Sequence, residues 1–314
     1  MMEKPMTDAK DRAAGCLFGL ALGDALGAKT EFIRGVREIQ ARFGPKGPTA
    51  PEGDPALVTD DTQMTLAVGE ALAQAARPFA PETLEGPLRQ AFVAWLDSPD
   101  NDRAPGMTCL TACGRLKMGM PWIKATVANS KGCGANMRVA PVGLLIDISS
   151  ETRAAVAQFQ AALTHGHPTG LAASDLTAWT VADLTSGGDP GSLPRRLREY
   201  AWSQRTVYHS DWLGPLWQQP LMETPGQFIA RGWDECLGVL TALDVALEQA
   251  DRAANPCLIT GEGWVAEEAF ATGLLCFLLF PDDPVAALRR AAVSSGDSDS
   301  IACLAGAFAG AYHG

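Results

Sequence analysis

Apolar and polar positions along the chain follow a helical period almost throughout. No segment shows the sustained alternation that is typical of a half-buried strand, and clusters of Gly and Pro separate the periodic segments. Residues 200–233 show no clear period and are predicted to be a long loop whose aromatic side chains fill the core. After a first helix that begins near Asp8 or Ala9, the predicted helical segments are 62–77, 81–97, 108–118, 135–148, 151–164, 171–184, 232–250, 265–280, 282–292 and 301–312. The pattern predicts an all-α fold, a compact single-domain multi-helix bundle over 9–314 that follows a flexible N-terminal tail at 1–8.

Glycines recur every fourth residue in the first and the last predicted helix. The two rows are Gly15, Gly19, Gly23 and Gly27, and Gly306, Gly310 and Gly314. Each glycine inside a helix costs about 1 kcal/mol relative to alanine, so a row of them needs a compensating contact. A helix face without side chains lets another helix or a ligand approach its backbone closely. We therefore expect these two helices to lie near each other in the core.

Two short stretches place carboxylates and hydroxyls at the start of a predicted helix. One is Thr59-Asp60-Asp61, and the other is Asp297-Ser298-Asp299-Ser300. Helix capping explains either stretch alone, because Thr is a good N-cap residue and acids in the first turn complement the helix dipole. Two such stretches together suit a site for hard cations, which prefer oxygen ligands. The sequence therefore predicts that they meet in space around divalent cations.

The composition excludes several other kinds of protein. The 314 residues carry a formal net charge of -11, which argues against nucleic acid or an anionic membrane as a partner. The longest strongly apolar run, 269–280, is too short to span a bilayer, and the N-terminal segment lacks the positive charge of a signal peptide. Eight cysteines without paired spacing indicate reduced thiols in a cytoplasmic protein. With four histidines, a His-based zinc site or catalytic triad is poorly supplied.

A loop with two glycines, Ser130-Lys131-Gly132-Cys133-Gly134-Ala135-Asn136, precedes a predicted helix. Its N–H groups are able to surround an anion, although an ordinary glycine turn explains the pattern equally well. Arg138 would serve the same anion or pair with a carboxylate. In His165-Gly166-His167 we expect one histidine to contact a ligand or to be structural. The segment 23–30 nearly matches a phosphate-binding P-loop, but it closes a helix where that motif opens one.

Six motifs follow one another along nearly the whole chain. They are GCLFGLALGDALGAKTEF, TDDTQM, SKGCGANMRVAPVGLL, LTHGHP, GEGWVAEEAF and SSGDSDSIACLAGAFAGAY. In this order they resemble the motifs of the ADP-ribosylglycohydrolase family, the group that includes the dinitrogenase reductase-activating glycohydrolase. The resemblance implies the all-α fold of that family and two divalent cations, Mg²⁺ or Mn²⁺. The implied metal ligands are Thr59, Asp60, Asp61, Asp297, Asp299 and Ser300.

The same resemblance implies where a substrate would bind. It places the diphosphate of ADP-ribose on the glycine loop, with Ser130, Gly132, Cys133, Gly134, Ala135 and Asn136 as the contacting residues. It places His165 and Glu31 beside the distal ribose. Two positions depart from the usual family pattern: Ser300 replaces a threonine but keeps the hydroxyl, and many members have asparagine where this chain has Cys133.

The implied activity is hydrolysis of the glycosidic bond between ADP-ribose and a modified protein side chain, with arginine as the expected acceptor. The reaction passes through an oxocarbenium-like state, and Glu31, Asp60 or Asp61 would take or give the proton. The expected partner is an ADP-ribosylated protein, ADP-ribose is the product, and the chain is expected to be a monomer. The alternatives are hydrolysis of ADP-ribosyl-serine or of another O-linked or small-molecule conjugate, and a non-catalytic relative that only binds ADP-ribose.

Overall fold

The computed structural model describes residues 8–33 and 35–314, and its regular structure is helical. Within these ranges there is no sheet, only three isolated β-bridges. The α-helices are α1 (Ala9–Gly27), α2 (Val36–Phe43), α3 (Asp60–Gln74), α4 (Pro81–Leu96), α5 (Met107–Lys117), α6 (Trp122–Ala125), α7 (Ala140–Gly143), α8 (Ser150–Ala162), α9 (Pro168–Thr185), α10 (Leu193–Gln204), α11 (Ser210–Leu213), α12 (Pro225–Gln249), α13 (Cys257–Thr260), α14 (Ala266–Leu279), α15 (Pro284–Ala292) and α16 (Ser298–His313). The predicted all-α fold is confirmed. Of the predicted tail, only Asp8 is described, and its carboxylate caps α1 by accepting from the Asp11 N–H at 2.8 Å.

The helices α1 and α16 run antiparallel with their backbones in contact. A Cβ atom added to Gly19 would lie 2.3 Å from the Gly306 carbonyl oxygen, and one added to Gly23 would lie 1.9 Å from the Ala302 oxygen. No side chain larger than hydrogen fits at such separations, which is why both faces carry glycine. The predicted contact between the two glycine rows is confirmed. It brings the end of α1 to the start of α16, where the second acidic stretch lies.

The helix α9 lies at the centre of the assembly. It packs against α8 and α12 and also contacts α14 and α16, and every residue from 168 to 178 is buried. Apolar side chains of α9, α12, α14 and α16 form one cluster. A second apolar cluster, with Met64, Phe92 and Phe159 among its members, joins α3, α4, α5 and α8. These two clusters hold α3 and α16 in place, and so fix both acidic stretches. No helix of the described ranges is long and apolar enough to cross a bilayer.

The predicted helix at 135–148 is wrong, since only α7 forms there. Pro141 lies in its first turn, and a Cβ atom at Gly143 would be 2.6 Å from the Ala178 carbonyl oxygen of α9. The chain then turns away, and Asp147 has a positive φ of 58°. Close packing of the backbone against α9 therefore overrides the apolar helical period.

The long loop predicted at 200–233 is also wrong in part. The helix α10 continues to Gln204, and α12 begins at Pro225, seven positions before the predicted start at 232. Thr224 caps α12 by accepting from the Gln227 N–H at 3.1 Å. A Thr-Pro pair is a recognised helix start, so the signal was present in the sequence.

The P-loop alternative at 23–30 does not fit the structure. The segment comprises the end of α1 and the turn that follows it, so its N–H groups do not open a helix. Lys29 lies half exposed on that turn, 3.9 Å from Glu52.

Candidate active site

A small hydroxyl network joins the end of α1 to the start of α16. The Thr30 hydroxyl donates to the Gly27 carbonyl at 2.9 Å, and the Ser298 hydroxyl donates to the same oxygen at 3.0 Å. The network holds the turn after α1 against the first turn of α16. Glu31 on that turn consequently lies beside the second acidic stretch, and carboxylate oxygens of Glu31, Asp297 and Asp299 lie within 4.8 Å of one another.

Asp24 fixes the position of the first acidic stretch, although the sequence analysis did not assign Asp24 to the site. This buried residue of α1 accepts hydrogen bonds from the N–H groups of Thr59 at 3.0 Å and Thr62 at 3.1 Å, and from the Thr62 hydroxyl. Thr59 in turn caps α3 by accepting from the Asp61 N–H at 3.3 Å. Asp24 therefore anchors the start of α3 to α1, which turns Asp60 and Asp61 toward the same space as Glu31.

Both acidic stretches open onto one cavity of about 330 Å³. The predicted site residues that line it are Glu31, Asp60, Asp61, Gly132, Cys133, Gly134, His165, Asp297, Asp299 and Ser300. Phe32, Met107 and Trp264 also line it and are exposed to solvent. A larger depression of about 860 Å³ lies along 205–235, but its carboxylates Asp234 and Glu235 are paired with cations. The smaller cavity is therefore the one in which several carboxyl groups lie close together.

Four carboxyl groups in this cavity have raised pKa values. Burial is the largest cause for each of them, and the charge of Asp299 is the next. Together these effects raise the pKa of Glu31 to about 9 and that of Asp60 to about 7. The pKa values of Asp61 and Asp297 rise well above the ordinary range for the same reasons. Such crowding of buried acids is unfavourable unless positive charge compensates it.

The donor atoms of the cavity fit divalent cations. Asp61 Oδ1 accepts from the Ser300 hydroxyl at 3.3 Å, while its buried Oδ2 finds no hydrogen-bond partner in the part of the chain that the structure describes. A buried carboxylate oxygen without a donor is costly, and a cation would satisfy it. Apart from one thiol, the side-chain donors at the acidic end of the cavity are oxygens, the ligands that Mg²⁺ and Mn²⁺ prefer.

The glycine loop forms one wall of the cavity and has already used several of its N–H groups. The N–H of Cys133 donates to the Trp264 carbonyl at 3.2 Å, and the N–H of Asn136 donates to the Cys133 carbonyl at 2.7 Å. The N–H of Gly132 makes only a long contact, 3.5 Å, with the Ser130 hydroxyl. An anion at this loop would therefore bind mainly the N–H groups of Gly132 and Gly134, because other N–H groups of the loop already donate to carbonyls. The predicted diphosphate site stays a prediction.

Four predicted residues lie behind the cavity wall. Ala135 and Asn136 are fully buried, and Asn136 Nδ2 donates to the Ala266 carbonyl at 3.1 Å. Ser130 Oγ lies 2.9 Å from Thr108 Oγ1, and Thr59 is occupied as the cap of α3. In this arrangement all four support the wall, so any direct contact with a ligand remains a prediction.

His165 is held in one orientation by the residues behind it. Arg138 is buried, and its guanidinium donates to Thr164 Oγ1 at 2.8 Å. The Thr164 hydroxyl lies 2.8 Å from His165 Nδ1, so it is placed to donate its own hydrogen to that nitrogen. Burial and the charge of Arg138 lower the pKa of His165. The ring is therefore neutral, and donation from the Thr164 hydroxyl to Nδ1 would place its proton on Nε2, which lies next to the loop glycines.

Neither of the roles expected for Arg138 applies. Its guanidinium binds the side chain and the carbonyl of Gln160, each at 2.8 Å, and lies over the Phe92 ring at 4.4 Å. His167 is structural as well, because its Nδ1 accepts from the Thr169 N–H at 3.2 Å at the start of α9.

Comparisons of this chain with known proteins agree on one family. The sequence pattern of the ADP-ribosylglycohydrolases matches residues 5–314. The ADP-ribosyl-[dinitrogen reductase] glycohydrolase of Rhodospirillum rubrum is 34% identical over 182 residues, which are 56% of this chain and 59% of that protein. The chain thus spans little more than half the length of that relative. The ADP-ribosylarginine hydrolase Tri1 of Serratia proteamaculans is 27% identical over 317 residues, which are 99% of this chain and 74% of that protein.

A solved structure supports the same conclusion. An ADP-ribosylglycohydrolase-related protein complex contains a chain that superposes with a TM-score of 0.64 at 25% identity, covering 98% of this chain and 89% of that one. The match of the family pattern over almost all of the sequence, the shared fold and the convergence of the two acidic stretches agree. The chain belongs to the ADP-ribosylglycohydrolase family.

Proposed function

We propose that the chain is a metal-dependent hydrolase that cleaves the glycosidic bond between ADP-ribose and a modified protein side chain, with arginine as the acceptor. The observation that carries the proposal is the cavity itself. Glu31, Asp61 and Asp297 come from three separate parts of the chain and line the same space. Crowding several buried acids in one cavity is costly, and among the described residues no hydrogen bond satisfies Asp61 Oδ2.

Two divalent cations, Mg²⁺ or Mn²⁺, would be held by the acidic end of the cavity. The residues that would hold them are Thr59, Asp60, Asp61, Asp297, Asp299 and Ser300. Bound there, the cations would fix the ribose hydroxyls and lower the pKa of a bound water.

Glu31 is suited to give a proton to the leaving nitrogen of the acceptor. Burial and the neighbouring Asp299 and Asp60 charges raise the pKa of Glu31 to about 9, so in the metal-free chain this carboxyl group holds a proton at neutral pH. Cleavage of the glycosidic bond leaves the bonding electron pair on that nitrogen, and a placed acid supplies the proton that this pair takes up. The same carboxylate, once it has given up its proton, is able to accept one from the attacking water.

The opposite wall would position the substrate. The loop at 132–134 presents small residues beside the acids, so a ribose and its phosphates are able to approach the backbone. The neutral His165 would donate from Nε2 to a substrate oxygen. Its orientation is fixed from behind by Thr164 and Arg138, so it needs no rearrangement on binding.

Release of free ADP-ribose tests the proposal. The purified chain with Mg²⁺ or Mn²⁺ should release ADP-ribose from an ADP-ribosyl-arginine peptide, and EDTA should stop the release. Glu31→Gln should lower the rate at least about a hundredfold, the usual contribution of a general acid. The matched control is Glu199→Gln, which removes an exposed acid of α10 that pairs with Arg195, and it should leave the rate unchanged.

Other substrates separate the alternatives. Faster release from an ADP-ribosyl-serine peptide or from a small-molecule conjugate would move the proposal to that acceptor. Tight binding of ADP-ribose without turnover of any conjugate would indicate a non-catalytic relative and would contradict the proposed activity.

A further inference from the structure

Cys133 differs from the other seven cysteines because it alone is partly exposed among those that the structure describes. Its Sγ atom lies in the acidic cavity, 2.9 Å from Asp297 Oδ2 and 3.5 Å from Ser300 Oγ. The backbone around it is fixed, since its N–H donates to the Trp264 carbonyl and its own carbonyl accepts from Met137 at 3.0 Å. The thiol is thus held against the carboxylates by a well-anchored loop.

A second observation marks the same place as a ligand site. Asp61 is only 2% exposed, yet its Oδ2 atom has no donor anywhere in ranges 8–33 and 35–314. The Ser300 hydroxyl connects it to the thiol, lying 3.3 Å from Asp61 Oδ1 and 3.5 Å from the sulfur. One sulfur and several oxygens therefore converge from α3, α16 and the glycine loop.

We propose that the Cys133 thiol is itself a metal ligand and gives this site a preference for thiophilic divalent ions, such as Zn²⁺ or Co²⁺, over Mg²⁺. Typical Zn–S and Zn–O distances are about 2.3 Å and about 2.0–2.2 Å. The 2.9 Å between Sγ and Asp297 Oδ2 is shorter than their sum, so one ion is able to touch both atoms. As the sulfur–metal bond forms, the sulfur supplies the electron pair and the thiol proton leaves to solvent.

The choice of ion follows from ligand softness. Oxygen-only sites suit Mg²⁺, Ca²⁺ and Mn²⁺, whereas a thiolate favours softer ions. The inference rests on the proposed function only in taking the acidic cavity as a cation site. A competing explanation is that the thiol only donates to Asp297 and holds its rotamer. In that case removal of the sulfur would weaken all divalent ions alike.

Cobalt titration separates the two explanations. The metal-free full chain titrated with Co²⁺ should develop the near-ultraviolet thiolate-to-cobalt charge-transfer band, and Cys133→Ser should bind Co²⁺ without that band. In competition with a chromogenic chelator, Cys133→Ser should lose at least about tenfold in Zn²⁺ affinity, while its Mg²⁺ affinity should change less than about twofold. The matched control is Cys257→Ser, whose buried thiol lies outside the cavity and should leave the band intact.

A measurement on the unaltered chain removes any dependence on how the variant folds. Iodoacetamide should alkylate Cys133 first, because the other cysteines are buried. Zn²⁺ should protect Cys133 from alkylation, as followed by mass spectrometry, and Mg²⁺ at saturation should protect it much less.

The outcomes are distinct. Co²⁺ binding without the band, equal loss of Zn²⁺ and Mg²⁺ affinity in Cys133→Ser, or equal protection by both ions would overturn the role of Cys133 and leave the proposed hydrolase standing. Failure of the chain to bind any divalent cation would overturn both proposals.

Discussion

Asp175 of α9 is a buried carboxylate that lies outside the cavity. Its Oδ1 accepts from the Tyr200 hydroxyl at 2.7 Å and its Oδ2 from Gln158 Nε2 at 2.9 Å. Burial nevertheless raises its pKa to about 6, which these two hydrogen bonds only partly oppose. Between its unfolded pKa near 3.8 and the folded value near 6, the folded chain holds this proton and the unfolded chain has lost it. Protonation of Asp175 therefore stabilises the fold at low pH, and that stabilisation is lost as the pH rises through this window.

Asp175→Asn should remove this pH dependence. The variant carries no proton that titrates, so the free energy of unfolding should fall less between pH 4 and pH 6 than in the unaltered chain, by about 2 kcal/mol. The Gln158 amide, whose Oε1 is unpartnered within the described structure, is able to flip and accept from the new amide group. Urea unfolding of both chains across this range measures the difference. Identical slopes would show that Asp175 is not the group responsible.

Single residues also show which site positions the sequence motifs identify and which they do not. The motifs identified Asp61 and Asp297 because acids at helix starts carry a recognisable pattern, and the family resemblance added Glu31, which lies on the turn after α1. They did not identify Asp24, since an aspartate inside an apolar helix has no spacing signal that names its partners, which here are the N–H groups of a helix that begins 35 positions later. Nor did they show that Asn136 faces the Ala266 carbonyl, because a loop sequence does not fix which way each side chain turns.

At the scale of helices, the contact between α1 and α16 depends on backbone approach. A side chain at Gly19 would meet the Gly306 carbonyl, and no rotamer change relieves a clash with backbone. Gly19→Ala should therefore force the helices apart and destabilise the fold by at least about 2 kcal/mol in urea unfolding. Separation of α1 from α16 should also move Glu31 away from Asp299 and weaken the proposed cation binding.

Gly238→Ala is the matched control for this change. Gly238 lies on the exposed face of α12, and a Cβ atom there meets nothing within 4 Å. The same substitution should stabilise the fold by about 0.5–1 kcal/mol, because alanine has the higher helix propensity. If both variants unfolded at the same urea concentration, the contact between α1 and α16 would be looser than described.

Helix existence was easier to predict than helix length. The period located α3, α4, α8 and α9, each of which contributes side chains to an apolar cluster. The period failed at α7, where Gly143 packs against the backbone of α9. It also failed at the start of α12, where the Thr224 cap and Pro225 begin the helix although the sequence there shows no helical period. In both cases a local backbone requirement, and not hydrophobic patterning, sets the boundary.

At the scale of the whole molecule, the carboxylates of the acidic cavity lower the stability of the metal-free fold. Its carboxylates are crowded and buried, so neutralising one of them should stabilise the metal-free fold. Asp61→Asn should raise the free energy of unfolding in EDTA by on the order of 1–3 kcal/mol. Saturating Mn²⁺ should stabilise the unaltered chain, by about 2.7 kcal/mol at a hundred times the Kd, and the variant much less.

Thermal unfolding with EDTA and with Mn²⁺ measures both effects. The control is Asp234→Asn, which removes a surface acid paired with Arg205 at 2.6 Å and should keep the full response to Mn²⁺. If Asp61→Asn were less stable than the unaltered chain in EDTA, or were stabilised by Mn²⁺ as much as the unaltered chain, the proposal of a cation site built from mutually repelling carboxylates would be contradicted.

The glycine rows predicted that α1 and α16 touch, and the oxygen-rich composition of the two acidic stretches predicted that these stretches meet around cations. The link that brings α3 to α1, through Asp24, has no signal in the sequence. The remaining wall of the cavity, from Met107 to Trp264, has no comparable signal, since those contacts depend on how several helices pack at once.

The pairing of Asp61 with Ser300 across 239 positions has a consequence for synthesis in the cell. While a ribosome is still making the chain, α1 has no partner for its bare face, and the acids near residues 24–61 have no counterpart. The cation binding proposed above would therefore wait until α16 emerges. A nascent chain stalled before that point would display an unprotected glycine face to chaperones and would lack a complete metal pocket.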